Sequence, residues 1–589
     1  MADALAHRGP DARGTLLHRA VALGHRRLSI LDLSSAGAQP MEHPSGRHCI
    51  VYNGEAYNHL DLRRRLTGAR WRGTSDTETL LEAYDRYGPG FISDINGMFA
   101  IAVHDRVRNH LEIFRDRAGE KPLYYFHHDG TFAFASELKA LLLHPHCPRT
   151  IDREALRDYL LFNYIPGPRT ILAGVFKLPP GHRLSFHIAT NRLEVMPYWQ
   201  PTAAADPPTT LEEATDRLEH LMLDSTRLRT LADVPLGCFL SGGIDSSLIA
   251  WALAKCSDRP IEAFTIAFDE GGYDESPHAA AVARELGANH HVERLSPRAA
   301  LDLVPALPRL YDEPFADASM LPTALLCRLA RRHVTVALSG DGGDELFLGY
   351  DRYRALELVR ARLGWMPRAL RGALAAVLRA VPHYRLNMVG KGLGFRNWDT
   401  AYGFLFAGWS QPLVNALLGE SRDFNNHPIH ALGAGDLVSA AGLTDLLHYL
   451  PDDILVKVDR AAMACSLETR VPLLDHRLIE FALSLPTEMK YRREEQKLTL
   501  RRVLYRHLPR ALFQRPKAGF AVPLRHWFRG EFRPLVNDLL APDALRRQGL
   551  FHPATVQRLL AEHDRGRANH ERYLWALLVF QLWHREYLS

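Results

Sequence analysis

Ser241-Gly242-Gly243-Ile244-Asp245-Ser246-Ser247 is the stretch of this chain whose residue types most directly imply chemistry. It follows an apolar run at 234–240 and precedes one at 248–253, which read as a buried strand and a helix. A Gly- and Ser-rich turn between strand and helix makes an anion cradle. Glycines let the backbone come close, successive N–H groups converge, and the helix N-terminus adds about half a positive charge. The hydroxyls of Ser241, Ser246 and Ser247 add donors. Asp245 would repel a phosphate unless a cation stands between them, and Mg²⁺ is the usual one.

A second turn, Ser339-Gly340-Asp341-Gly342-Gly343-Asp344-Glu345, follows the apolar segment 333–338. Three acids at a Gly-rich strand end are costly without a cation or donors, and Asp344 reads as a second Mg²⁺ ligand opposite Asp245. Between residues 450 and 475, charges alternate within apolar sequence, the pattern of a buried ion-pair network. Arg515-Pro516-Lys517-Ala518-Gly519-Phe520 sets a lysine on a Pro/Gly-framed loop, where it suits negative charge developing on phosphate. The first loop lacks the lysine of a Walker P-loop. It resembles instead the pyrophosphate loop of enzymes that split ATP between its α- and β-phosphates.

The elements that must hold these loops follow from periodicity. From about residue 211 a helix (211–229), strand (234–240), helix, strand (261–268), helix (276–286) and strand (289–295) alternate, with a further strand at 333–338. Such alternation predicts a doubly wound parallel α/β sheet, whose ligands sit beyond the carboxyl ends of the strands. Both turns lie at such ends. Beyond 351 the chain reads as nearly all helical. Residues 1–195 instead carry short β-like runs near 48–52, 98–103, 111–114 and 131–134, with helices near 58–66 and 76–87, so an α+β domain with a largely antiparallel sheet is expected. The small- and Pro-rich stretch 196–210 reads as a linker, and 211–589 as the second domain.

At 589 residues the chain exceeds one ordinary core. Its net charge of +5, spread along the sequence, gives no case for nucleic acid, and the arginines at 63–65 read as a solvated helix face. Six dispersed cysteines argue for a reducing cytoplasm and against a disulfide scaffold or zinc site. No apolar run reaches the roughly 18 residues of a membrane span, and the run near 573–583 reads as a buried helix. The expected partners are therefore small molecules, with no nucleic acid and no membrane; a homodimer is compatible with the reading.

With both turns, the 452–475 stretch and the Lys517 loop in view, the chain resembles glutamine-dependent asparagine synthetases along its whole length. The N-terminal motifs that carry the resemblance are His7-Arg8-Gly9-Pro10-Asp11, Arg26-Arg27-Leu28-Ser29-Ile30, Asn53-Gly54-Glu55-Ala56-Tyr57-Asn58, Ser75-Asp76-Thr77-Glu78 and Phe114-Arg115-Asp116-Arg117. The resemblance implies an N-terminal-nucleophile glutaminase sandwich fused to an ATP-pyrophosphatase-type synthetase. It implies that Arg27 holds the glutamine α-carboxylate, that Glu55 and Asp76 hold its ammonium group, and that Asn53 and the Gly54 N–H form the oxyanion hole at a strand end. In the second half it implies that Leu240, Ile266, Ser339 and Gly340 contact the nucleotide. Aspartate would attack the α-phosphorus of ATP, pyrophosphate would leave held by 241–247, Mg²⁺ and Lys517, and ammonia would displace AMP to give asparagine.

Three departures qualify the resemblance. The family's nucleophile is a cysteine directly after the initiator methionine, whereas Met1-Ala2-Asp3 aligns just ahead of the His-Arg-Gly-Pro-Asp motif. The intact glutamine-site residues favour an internal methionine of a longer frame over a true truncation. The polypeptide as it begins here is expected to use ammonia but not glutamine, and Cys49, inside a strand and without a free α-amine, is not a substitute nucleophile. Leu348 stands where the family has glycine and is expected to shun glycine-only backbone angles. Ala462 replaces a frequent serine. Two rival readings stay open: the same adenylation on another carboxylate, as in β-lactam- or macrocycle-forming relatives, and a non-catalytic ATP-binding scaffold.

Overall fold

From residue 211 the chain alternates strand and helix where the change of hydrophobic period places them. The computed structural model describes residues 1–269, 274–380, 398–406, 411–420, 436–515 and 522–588. Helix Leu211–Arg229 leads into strand Leu236–Phe239, helix Ile244–Lys255, strand Glu262–Phe268, helix Ser276–Leu286 and strand Asn289–Leu295. Helix Met320–Arg331 then precedes strand Val336–Leu338. The sheet is wholly parallel, in the spatial order Asn289–Leu295, Glu262–Phe268, Leu236–Phe239, Val336–Leu338, Glu468–Arg470. Chain order runs one way from Leu236–Phe239 and the other way from Val336–Leu338. The crevice between the carboxyl ends of these two strands is the topological switch point, where a ligand meets backbone from both directions.

Within the nearly all-helical stretch beyond 351 the described residues add a fifth strand, Glu468–Arg470, and the small hairpin of Tyr491–Arg492 with Glu495–Gln496. All three residues of the fifth strand are buried, so it shows no inside–outside alternation for a period-2 pattern to register. The apolar run near 573–583 does form the buried helix Glu571–Tyr587.

The first half is a sandwich. A six-stranded antiparallel sheet runs Arg192–Pro197, His182–His187, His110–Arg115, Gly97–Asp105, His48–Ala56, Met41–Glu42. Helix Asp76–Tyr87 covers one face, burying Leu80, Leu81 and Tyr84 against Ile50, Ile101 and Phe114. Against the other face, Cys49, Ala102 and Ile113 pack with Val21 and Leu23 of the hairpin Ala12–His18/Val21–Arg27. The strand expected to stop at Tyr52 continues to Ala56, so Asn53 and Gly54 lie within the ladder, opposite Ala100 and Phe99, rather than in a turn. Gly54 permits this: its φ is +149°, and a Cβ there would sit 2.0 Å from the Met98 carbonyl oxygen. The arginine run at 63–65 is also only partly solvated. Arg63 lies over the Trp71 ring at 4.2 Å and donates to Thr79 and to the Gly73 and Ser75 carbonyls.

The halves meet across a seam that is apolar at one end and charged at the other. Helix Arg153–Phe162 shares a hydrophobic cluster with Glu571–Tyr587, and the Tyr159 hydroxyl donates to the Ala576 carbonyl at 2.6 Å. At the charged end Arg8 donates to both Asp459 oxygens, at 2.8 and 3.0 Å, and to Glu137 at 2.9 Å. Arg460 lies 3.0 Å from Glu137. Against the cost of burial, Arg8 and Lys121 hold the Asp459 carboxyl below its usual range. Removing one member strands the others, so Asp459→Ala is expected to cost about 3–5 kcal/mol. A lowered denaturant midpoint for the unfolding step that parts the halves would show it; an unchanged midpoint would contradict the assignment.

Candidate functional site

A cavity of about 600 Å³ opens at the switch point. Leu240, Ser241, Gly242, Gly243, Asp245 and Ser246 line it from one turn, Ser339, Gly340 and Asp344 from the other, and Ile266 from the neighbouring strand. Ser247 is fully buried behind the loop, with its N–H already bonded to the Gly243 carbonyl, and does not reach the wall. The loop is pre-shaped: the Ser241 and Ser246 hydroxyls are 2.9 Å apart, and the Gly243 N–H donates to Ser241 Oγ at 3.2 Å. Gly243 caps the helix Ile244–Lys255, so the positive end of that helix faces the cavity.

The two carboxylates expected to share a metal do converge, but on a lysine. Lys497 Nζ donates to Asp245 Oδ2 and lies 2.6 Å from Asp344 Oδ1. Despite burial, these two acids raise the lysine well above its ordinary range. The backbone must leave room for it: a Cβ on Gly349 would lie 1.9 Å from Lys497 Cε and 2.2 Å from Asp344 Oδ1. Two other cations on the wall are also paired with acids, Lys457 with Asp317 at 2.8 Å and Arg515 with Glu275 at 2.5 Å. Lys517 lies in 516–521, outside the described residues. In the sequence Lys497 simply ends the charged run 492–497. Its only local signal is its place directly before the apolar helix Leu498–Tyr505.

A smaller cavity of about 120 Å³, lined mostly by the first half, brings Arg27, Asn53, Gly54, Glu55 and Asp76 together. Arg27 donates to the carbonyls of Ser34, at 2.7 Å, and of Leu31 and Asp32. Asp76 accepts from the Tyr52 hydroxyl at 2.8 Å and the Ala56 N–H at 3.0 Å. Glu55 accepts from Arg470, on the edge strand of the parallel sheet, at 2.8 Å. Burial and then Asp76 push the Glu55 carboxyl up, against the pull of Arg470. The buried Asn53 Nδ2 donor and Glu55 Oε1 acceptor are among the atoms here with no hydrogen-bond partner. A ligand presenting a carbonyl oxygen to one and an ammonium to the other would satisfy both.

Both halves of the chain have counterparts among known proteins. Residues 217–585 match the asparagine synthase family model, and residues 1–199 match the glutamine amidotransferase domain. A putative glutamine-hydrolysing asparagine synthetase of Mycobacterium tuberculosis is 37% identical over 98% of this chain and 92% of its own. Asparagine synthetase 1 of Bacillus subtilis is 32% identical over 99% and 92%. The chain belongs to the asparagine synthetase family. It is accordingly a carbon–nitrogen ligase of the glutamine-hydrolysing type, and the family uses ATP as substrate. A protein named amidase chyE, from Penicillium rubens, is 30% identical over 93% of this chain and 88% of its own.

Leu348 and Cys49 carry two further structural findings. Leu348 does take the backbone angle expected to exclude it, φ +57°. Its side chain is fully buried in the main core, which offsets the ~1–3 kcal/mol such a conformation costs. Cys49 is buried, and burial pushes its thiol up to about 12, so no thiolate is available there.

Next to Asp344, burial and that neighbouring charge push the Glu345 carboxyl up to about 8. In the unfolded chain a glutamate titrates near ~4.3. Between these values the folded protein binds the extra proton, so this group makes stability fall as pH rises from about 4.3 to about 8. Glu345→Gln is expected to flatten the decline of thermal midpoint with pH across that window; parallel curves for both proteins would contradict it.

Proposed function

We propose that this protein amidates L-aspartate to L-asparagine by way of β-aspartyl-AMP, releasing AMP and pyrophosphate, with the nitrogen supplied by glutamine or ammonia. The observation that carries the reading is the meeting of Asp245, Asp344 and Lys497 between two Gly-rich turns at the switch point. Ser241–Ser246 N–H and hydroxyl groups, with the helix N-terminus behind them, would grip the β- and γ-phosphates. Lys497 would turn from its carboxylates toward the negative charge that develops between α- and β-phosphorus, and Lys517 belongs to the same assignment. Leu240, Ile266, Ser339 and Gly340 would seat the nucleoside. Catalysis on this reading is positioning and charge neutralisation.

Mg²⁺ fits the donor set only as an ion shared with phosphate. Among the described residues no three His, Cys, Asp or Glu side chains form a group that could hold a metal. Asp245 and Asp344 would provide two oxygens and the phosphates the rest, the usual pattern for this ion; bound there, it would neutralise the leaving pyrophosphate. In the first half, Arg27 would orient the glutamine α-carboxylate, and Asp76 with Glu55 Oε1 would take its ammonium group. Asn53 Nδ2 and the Gly54 N–H would take the carboxamide oxygen.

A second reading keeps this chemistry and changes the acceptor; the relative named an amidase supports it. Aspartate-dependent ATP–pyrophosphate exchange tests the first reading. Asp245→Asn and Lys497→Ala are each expected to lower exchange by about 10²-fold or more with unchanged circular dichroism. Near-normal exchange in Asp245→Asn would remove the phosphate-site assignment. AMP release with another carboxylate but not with aspartate would favour the second reading.

A further inference from the structure

Leu240 is the residue through which the parallel sheet hands the chain to the Ser241–Ser247 loop, and both of its backbone polar groups are engaged. Its N–H donates to the Phe264 carbonyl at 2.9 Å, in the manner of the parallel ladder. Its carbonyl accepts from a side chain, the Thr265 hydroxyl, at 2.6 Å. Thr265 Oγ1 also lies 2.7 Å from His290 Nε2, on the neighbouring strand Asn289–Leu295. The hydroxyl has one hydrogen and the Leu240 carbonyl takes it, so His290 Nε2 must carry its own. The three groups form a directed chain: His290 donates to Thr265, and Thr265 donates to Leu240.

We propose that Thr265 and His290 are positioning residues for the nucleotide, acting through the first peptide of the phosphate-binding loop. The inference rests on the proposed reading of that loop. The Leu240 carbonyl and the Ser241 N–H belong to one planar peptide and point in opposite directions. Holding the carbonyl therefore aims the N–H, which donates to Ser246 Oγ at 3.2 Å. Ser246 Oγ is itself 2.9 Å from Ser241 Oγ. Leu240, Ser241, Ser246 and Thr265 all line the cavity at the switch point. The strand does not ask for a hydroxyl at residue 265. Valine has the same shape and the same liking for a strand, and a hydroxyl only 3% exposed is costly without partners. Successive hydrogen bonds running one way strengthen each other, so the loop entrance is set before a ligand arrives, as preorganised donors require.

The experiment is calorimetric titration of the full chain with Mg·ATP and, separately, with inorganic pyrophosphate in the presence of Mg²⁺. Thr265→Val keeps the shape and removes the donor. It is expected to raise both Kd values by about fivefold or more, with circular dichroism and the ligand-free thermal midpoint unchanged. Thr265→Ser keeps the hydroxyl and is expected to bind both ligands as the wild type does. His290→Phe, at a half-buried strand position, is expected to weaken both ligands in the same direction and by less, and it carries the same comparison if the valine variant is unstable. Wild-type Kd values in both Thr265→Val and His290→Phe would overturn the proposal, as would failure of serine to restore binding. Weakening of Mg·ATP with pyrophosphate unaffected would overturn the route through the loop. A wild-type chain that binds neither ligand would instead overturn the phosphate-loop reading itself, and the positioning role with it.

Discussion

Charge can be buried between the two halves only where each charged group meets its counterpart, and that condition locks the molecule together. Arg8 grips Asp459, Arg460 faces Glu137, and Arg470 joins Glu55 of one half to Glu468 of the other. Desolvating any of these alone would cost more than its partner returns at a distance. A displacement of one half by an ångström or two would unpair several at once. The seam is therefore specified by geometry as well as by area, and Tyr57, lying under both Arg229 and Arg470 at 4.4 and 5.6 Å, closes it further.

The seam also completes a site. Met463 and Glu468, from the second half, help wall the small cavity around Asn53 and Glu55. Arg470 holds Glu55 Oε2 and so aims the other oxygen, which has no partner of its own. That cavity is thus a product of both halves. The same short strand that supplies Arg470 lies beside Val336–Leu338, the strand that feeds the second Gly-rich turn. Two hydrogen-bonded neighbouring strands therefore link the two sites.

At the switch point the same logic of paired charge recurs in a form suited to exchange. Lys497, Lys457 and Arg515 each hold an acid on the cavity wall. Cations held in this way can trade carboxylate partners for phosphate. That is what a preorganised site for a highly charged ligand requires.

Much of this was legible in the linear sequence because it is written locally. The Ser241–Ser247 loop, its flanking strand and helix, and the helix Ser276–Leu286 follow from periodicity and glycine placement. The charged pattern around Asp459, Arg460 and Arg470 announced a buried network, since charges interleaved with core residues cannot all reach water. What the sequence could not supply was partnership across distance. Lys497 lies 252 residues from the Asp245 it holds, and Arg8 lies 451 from Asp459. The three-residue strand Glu468–Arg470 has no period of its own, and the positive φ of Leu348 is imposed by the core into which its side chain is drawn. Local chemistry and hydrophobic period determine which elements form and which loops can bind anions. Only the packed chain decides which charges meet, because a buried ion pair is selected by the cost of leaving either member alone.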